Sequence, residues 1–228
     1  MLTLIQNDQQ VPSGNFLDWL RTLDLPVRII EAYLGEELPS VDDSSAVIVL
    51  GGAMGVHDSS RYPYLLTVKS YIQQVVLREV PLLGICLGGQ LLADVLGATV
   101  HSRKNGEMGL LSVTVLESAI SDPLFHEIPQ SFTSFQWHND SFEIPTGAIC
   151  LASSPDCAHQ AFRYGANQYG LQFHPEVSRD IVSRWIDSSA DLEDFTWIID
   201  DFIRHEALYS EVSRKILENF LRIAGMLR

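Results

Sequence analysis

The sequence is short of basic residues, cysteines and long apolar runs, and each shortage closes off a class of protein. Fifteen Lys and Arg stand against twenty-nine Asp and Glu, a net charge of −14. Such a surface on average repels phosphate backbones and anionic bilayers, so neither a nucleic acid nor a membrane is expected as a partner. The longest run of apolar residues and glycine, Ala46 to Val56, falls far short of the about 20 residues that span a bilayer. The opening stretch MLTLIQNDQQ has no basic region followed by an apolar one, so no export signal is read there. The three cysteines form no C-x-x-C pair and no Cys/His spacing suited to zinc. No metal and no cofactor are therefore expected, and reduced thiols fit a cytoplasmic protein. Repeats, low-complexity tracts and Pro/Gly-rich linkers are missing too, and residues 1–228 read as one domain.

What is present is apolar and periodic: 46% of residues are hydrophobic, enough for a substantial core. VRIIEAYL (27–34) and AVIVLGG (46–52) read as buried strands. YPYLLTVKSYIQQVVLREV (62–80) carries Leu65, Val68, Ile72, Val75 and Val76 at helical spacing, PLLGIC (81–86) is another buried strand, and GGQLLADVLGA (88–98) is a helix closed by Gly97. This alternation predicts an α/β fold with an open, mostly parallel sheet of flavodoxin-like type and helices on both faces. Between 99 and 173 the texture changes to strands and turns, LLSVTVL, SFTSFQWH, AICLASS, HQAFRYG and QYGLQFH, which should pair partly antiparallel. The chain then returns to helix: FTWIIDDFI and YSEVSRKILENFLRIAGML each carry an apolar stripe, with Val212, Ile216, Phe220 and Ile223 on one face of the second.

Two short stretches carry chemistry. LLGICLGGQ (82–90) ends a buried strand on Cys86 and starts a helix directly after it. The carboxyl edge of a parallel sheet is where ligand sites collect, and a helix amino terminus favours thiolate over thiol. Gly84, Gly88 and Gly89 suit a sharp turn with close backbone approach. A lone cysteine in such a place can equally be a small core residue. GLQFHPE (170–176) decides between the two readings. In extended chain residues i and i+2 point the same way, and Pro175 stiffens the backbone between them, so the His174 imidazole and the Glu176 carboxylate can lie side by side. Cysteine, histidine and carboxylate together make up a triad for nucleophilic acyl transfer. His57, His101, His126, His159 and His205 lack such a neighbourhood, and Cys150 and Cys157 read as structural.

These residues resemble the class I glutamine amidotransferases, whose glutaminase domain carries a G-x-C-x-G-x-Q elbow and a late H-P-E. The chain has Gly84-Ile85-Cys86-Leu87-Gly88-Gly89-Gln90 and His174-Pro175-Glu176. SFQWHND (134–140), the later ASSPDCAHQAF and the loop GGAMGVHD (51–58) are similar to the GMP-synthetase glutaminase branch, in the right order from about residue 46 to 177. The resemblance implies that Cys86 attacks the side-chain amide of glutamine, giving a γ-glutamyl thioester and ammonia. His174 would serve as base and then acid, with Glu176 orienting it. Backbone N–H groups of Leu87 and of the Gly51-Gly52 loop, Gly52 foremost, would hold the oxyanion. Gln90, Gly51 and the segment His138, Asn139 and Asp140 would bind the small-molecule substrate; Asp140 also reads as an ordinary turn residue.

The chain departs from that pattern in two ways. A family-like closing helix is matched by ILENFLRIA (216–224), which leaves an added helical segment at about 180–212. No P-loop, S-G-G-x-D-S or similar phosphate cradle occurs, so an ammonia-accepting synthetase would have to be a separate subunit. Three functions compete: a glutaminase serving such a synthetase, a γ-glutamyl peptidase or hydrolase that needs no partner, and a cysteine-type α/β-hydrolase. The last places its acid before the histidine, against the order found here. The stripe Phe195, Ile198, Ile199 and Phe202 is either a homodimer face or packing onto the chain itself.

Overall fold

The computed structural model describes residues 1–188 and 195–228. Its elements run β1 (Leu2–Gln6), α1 (Gly14–Thr22), β2 (Val27–Glu31), β3 (Ala46–Val49), α2 (Tyr64–Leu77), β4 (Leu82–Ile85), α3 (Leu87–Val95), β5 (Val100–His101) and β6 (Glu107–Val115). They continue with β7 (Ser131–His138), β8 (Ser141–Phe142), β9 (Ile149–Ser153), β10 (Ala161–Tyr164), β11 (Gln168–Leu171), α4 (Arg179–Ser188) and α5 (Thr196–Ile223). None of the described helices is long and apolar enough to cross a membrane.

One sheet runs in the order β2-β1-β3-β4-β11-β10-β9-β6-β7, and β5 pairs with β8 apart from it. The first five strands are parallel and the rest antiparallel, as expected. The parallel half has the doubly wound order in which the second strand lies outside the first. Its strands are apolar on both sides because both faces are covered. Ala46, Ile48 and Leu50 pack into one cluster with Phe16, Leu20, Ile216, Leu217 and Phe220 of α1 and α5. Val47 and Val49 face the opposite cluster with Leu65, Val68, Ile72 and Leu91 of α2 and α3.

Three adjacent strands position the site. β3, β4 and β11 are parallel neighbours, so Gly51, Cys86 and His174 all emerge from the same carboxyl edge. Beyond β11 the chain leaves the ladder: Gln172 N–H donates to Gln160 O at 2.9 Å and His174 N–H to Phe135 O at 2.8 Å. An antiparallel bridge thus joins His174 to β7, and the antiparallel strands curl back toward the parallel edge.

The structure differs from the sequence reading in three elements. β1 and α1 carry no signal singled out above. They form because Leu2, Leu4, Phe16 and Leu20 are all fully buried in the first cluster. FTWIIDDFI and YSEVSRKILENFLRIAGML are one continuous helix, since Arg204, His205, Glu206, Ala207 and Leu208 contribute no buried side chain yet keep the helical backbone. The stripe Phe195, Ile198, Ile199 and Phe202 packs into a third cluster with Val11, Phe135, Val177, Ile181, Val182 and Trp185. That stripe packs internally, with Ile198 and Phe202 buried and Phe195 and Ile199 partly so. Of the added segment at 180–212, the part between 189 and 194 lies outside the described residues.

Candidate active site

The turn from β4 into α3 is built by close backbone contact. A β-carbon on Gly88 would run into the carbonyl oxygen of Val49, one on Gly89 would come within 2.6 Å of Leu171 O, and one on Gly84 within 2.5 Å of Gly88 O. These glycines let α3 lie directly on β3, β4 and β11. The unusual conformation falls on the cysteine itself, with φ 49° and ψ −107°. Such a geometry persists only where the surroundings over-determine it. Cys86 N–H donates to Leu171 O at 2.8 Å, and its carbonyl accepts from Gln90 N–H at 2.9 Å. The first intrahelical bond is therefore that of Gln90, which leaves the N–H groups of Leu87, Gly88 and Gly89 without a helical acceptor beside the sulfur.

His174 Nδ1–H donates to Glu176 Oε1 at 2.7 Å. A methyl group on Gly51 would stand 3.1 Å from His174 Cε1 and 3.6 Å from Cys86 Cβ, so ring, sulfur-bearing carbon and loop converge on one point. The imidazole is buried, which by itself drives it toward neutrality. The charge of Glu176 and then that of the Cys86 sulfur outweigh burial and push its pKa up to about 10. Glu176 is itself fully buried. The loop carrying Gly52 lies against α3: a β-carbon there would be 3.0 Å from Leu87 Cδ2.

A hydrogen-bond chain leads away from the thiol. Gln172 Nε2–H reaches Cys86 Sγ at 3.7 Å. Gln90 Nε2–H donates to Gln172 Oε1 at 3.2 Å and to Asp140 O at 3.2 Å. His138 Nδ1–H donates to the same carbonyl at 3.0 Å, while its Nε2 pairs with Glu107 Oε2 at 3.2 Å. Both His138 nitrogens are thus engaged, and its side chain is 1% exposed. Asp140 lines the opening, with Oδ1 accepting from Arg103 N–H at 3.0 Å and Oδ2 3.2 Å from the place a β-carbon on Gly55 would take. Asn139 is exposed and borders a concavity of about 340 Å³ with Arg103 and Gly106. A larger groove of about 680 Å³, walled by Leu38, Val41, Leu66 and Tyr71, shares none of these residues.

The family profile for glutamine amidotransferase class-I matches residues 8–182. The chain belongs to that family.

It is accordingly an enzyme of the glutamine amidotransferase type. A glutamine amidotransferase-like protein of Salmonella typhimurium, YfeJ, is 30% identical over 181 residues, 78% of this chain and 76% of that protein. One subunit of the glutamine-hydrolyzing GMP synthase of Saccharolobus solfataricus is 37% identical over 144 residues, 62% of this chain and 71% of that one. A glutamine amidotransferase from Thermotoga maritima superposes with a TM-score of 0.88 at 32% identity, over 98% of this chain and 97% of its own.

Against this family background, four residues of the site were missed in the sequence. Gln172 stands two before His174, so the alternation that aligned His174 with Glu176 also aims Gln172 at the thiol. Glu107, Trp185 and Tyr209 gave no local signal. Glu107, His138 and Cys157 are also the one group among the described residues that could hold a metal ion, their donor atoms lying within 4.8 Å of one another. The fit is poor. Glu107 already accepts from Ser154 Oγ at 2.6 Å and from Gln160 Nε2, and burial pushes the Cys157 thiol up to about 11.

Proposed function

We propose that this chain, acting as a single domain, hydrolyses the side-chain amide of glutamine or of a related γ-glutamyl compound through a thioester on Cys86. The observation that carries the reading is the His174–Glu176 pair at 2.7 Å, set beside Cys86 at the ends of adjacent parallel strands. The Cys86 sulfur adds to the amide carbonyl, and the oxyanion is held by N–H groups of Leu87 and Gly52, an arrangement worth about 3–4 kcal/mol per donor. Collapse breaks the C–N bond, and the His174 imidazolium gives its proton to the departing nitrogen, releasing ammonia. Acylation also removes the charge on sulfur, one of the causes that hold the imidazole protonated. His174 is then a better base: it takes a proton from water, whose oxygen attacks the thioester and frees the carboxylate and Cys86. Gln90, Gly51, Asn139 and Asp140 bind the substrate ends, and His138 fixes the Asp140 carbonyl.

A glutamine analogue carrying a diazoketone should label Cys86 alone, read by peptide mass spectrometry, and Cys86→Ala should lose hydrolysis while keeping its fold. Label on Cys150 or Cys157 instead, or near wild-type turnover in Cys86→Ala, removes the mechanism.

Whether ammonia passes to a separate synthetase distinguishes the two remaining versions. The likeness to a GMP synthase subunit supports docking on such a partner. The cover that α4 and α5 form over His174 favours the partner-independent hydrolase, and basal rates with and without cell extract discriminate.

A further inference from the structure

The added helices reach the proposed base directly. Tyr209 of α5 is buried, and its hydroxyl lies 2.9 Å from His174 O and 3.1 Å from Val177 O. One phenol therefore spans the tetrapeptide His174-Pro175-Glu176-Val177 at both ends. Other elements hold the same loop: His174 N–H bonds Phe135 O, Asn15 N–H bonds Glu176 O at 2.8 Å, and Asn15 Nδ2–H also bonds Val177 O at 2.9 Å. Trp185 of α4 stands edge-on to the imidazole, ring centroids 5.1 Å apart at 73°. Its own orientation is set by Nε1–H donating to Gln10 O at 2.6 Å and by contacts with Phe135 and Trp137. Phe202 packs between Phe135 and Tyr209, and Arg179 pairs with Glu206 across the two helices.

We infer that α4 and the amino-terminal half of α5 are a built-in clamp on the His174–Val177 loop, with Tyr209 and Trp185 as positioning residues for His174. Neither touches the reacting atoms. Tyr209 holds the backbone that aims the ring, and Trp185 walls the ring face so that Nε2 keeps its direction toward Cys86. A loop held on one side by β7 and α1 and on the other by its own helices needs no second protein to order it. This deepens the partner-independent version of the function proposed above and rests on it for the reaction, though not for the geometry.

The test uses the full chain with Tyr209→Phe and Trp185→Phe, both shown folded at the assay temperature by a cooperative urea transition that begins well above zero denaturant. A misplacement on the order of 1 Å costs up to about a hundredfold in rate. Both variants should therefore lower kcat for glutamine or a γ-glutamyl peptide by about ten- to a hundredfold with KM within about twofold of wild type. Alkylation of Cys86 by iodoacetamide at neutral pH, which needs no substrate, should slow in parallel, and Trp185→Leu should slow it further than Trp185→Phe. Folded variants whose kcat and Cys86 alkylation both match wild type overturn the clamp. Where wild type turns over no γ-glutamyl amide, the functional reading falls, and the alkylation rates alone decide the clamp.

Discussion

At the residue scale the proposed chemistry depends on where one proton sits. Glu176 and the Cys86 sulfur hold His174 protonated up to about pH 10, and the proposed acylation step needs that proton for the leaving ammonia. Raising the pH through this value removes it, so kcat/KM should fall along an alkaline limb near pH 10. Replacing His174 by Asn should abolish that limb along with all but a small residue of the rate, on the order of a hundredth or less. A pH–rate profile flat beyond pH 10 in wild type would take the proton donor role away from His174. The contact between His174 and Glu176 was legible because it is local: the i, i+2 spacing in GLQFHPE needs no knowledge of the fold. Tyr209 was not legible, since its contact with His174 joins residues 35 apart through a helix whose register only packing fixes.

Among the elements, the junction of β4 and α3 is the least tolerant. α3 lies so close to β3 that the carbonyl of Val49 occupies the space a side chain on Gly88 would need. Gly88→Ala should cost about 3 kcal/mol or more, because the obstruction is backbone and cannot swing aside. Its urea midpoint and the proposed amide-hydrolysis rate should fall together. Full stability in that variant would show that α3 can ride away from the sheet. The alternation of strands and helices predicted this junction and the strands β2, β3 and β4 of the parallel half. It did not predict β1 or α1, whose short runs LTLIQ and GNFLDWLRT take their form from the faces they bury. Nor did it predict that two helical stripes were one helix, because a stretch with no buried side chain hides continuity that hydrogen bonds preserve.

For the whole molecule, net charge and the buried imidazolium act in the same direction. Folding raises the His174 pKa from the ordinary 6.5 to about 10. The stability this supplies is complete below pH 6.5, and it is lost as pH climbs through about 10, since the folded state binds the extra proton over that window. The surplus of acidic groups adds self-repulsion that grows with pH. The urea midpoint of the wild-type chain should therefore fall between pH 7 and 10, and His174→Gln should flatten part of that fall; an unchanged slope would mean the folded state does not hold the proton. The sequence by itself determined the elbow and the His-Pro-Glu pair, because glycine placement and two-residue alternation act within a few residues. It also determined β2, β3 and β4 of the parallel core, through runs apolar on both faces. Only the tertiary structure decided that the end of β11 lies beside the end of β4, that His138 turns inward onto Glu107, and that α4 and α5 close over His174. Each of those outcomes depends on apolar faces and hydrogen-bond partners brought together from distant parts of the chain, and no local pattern records them.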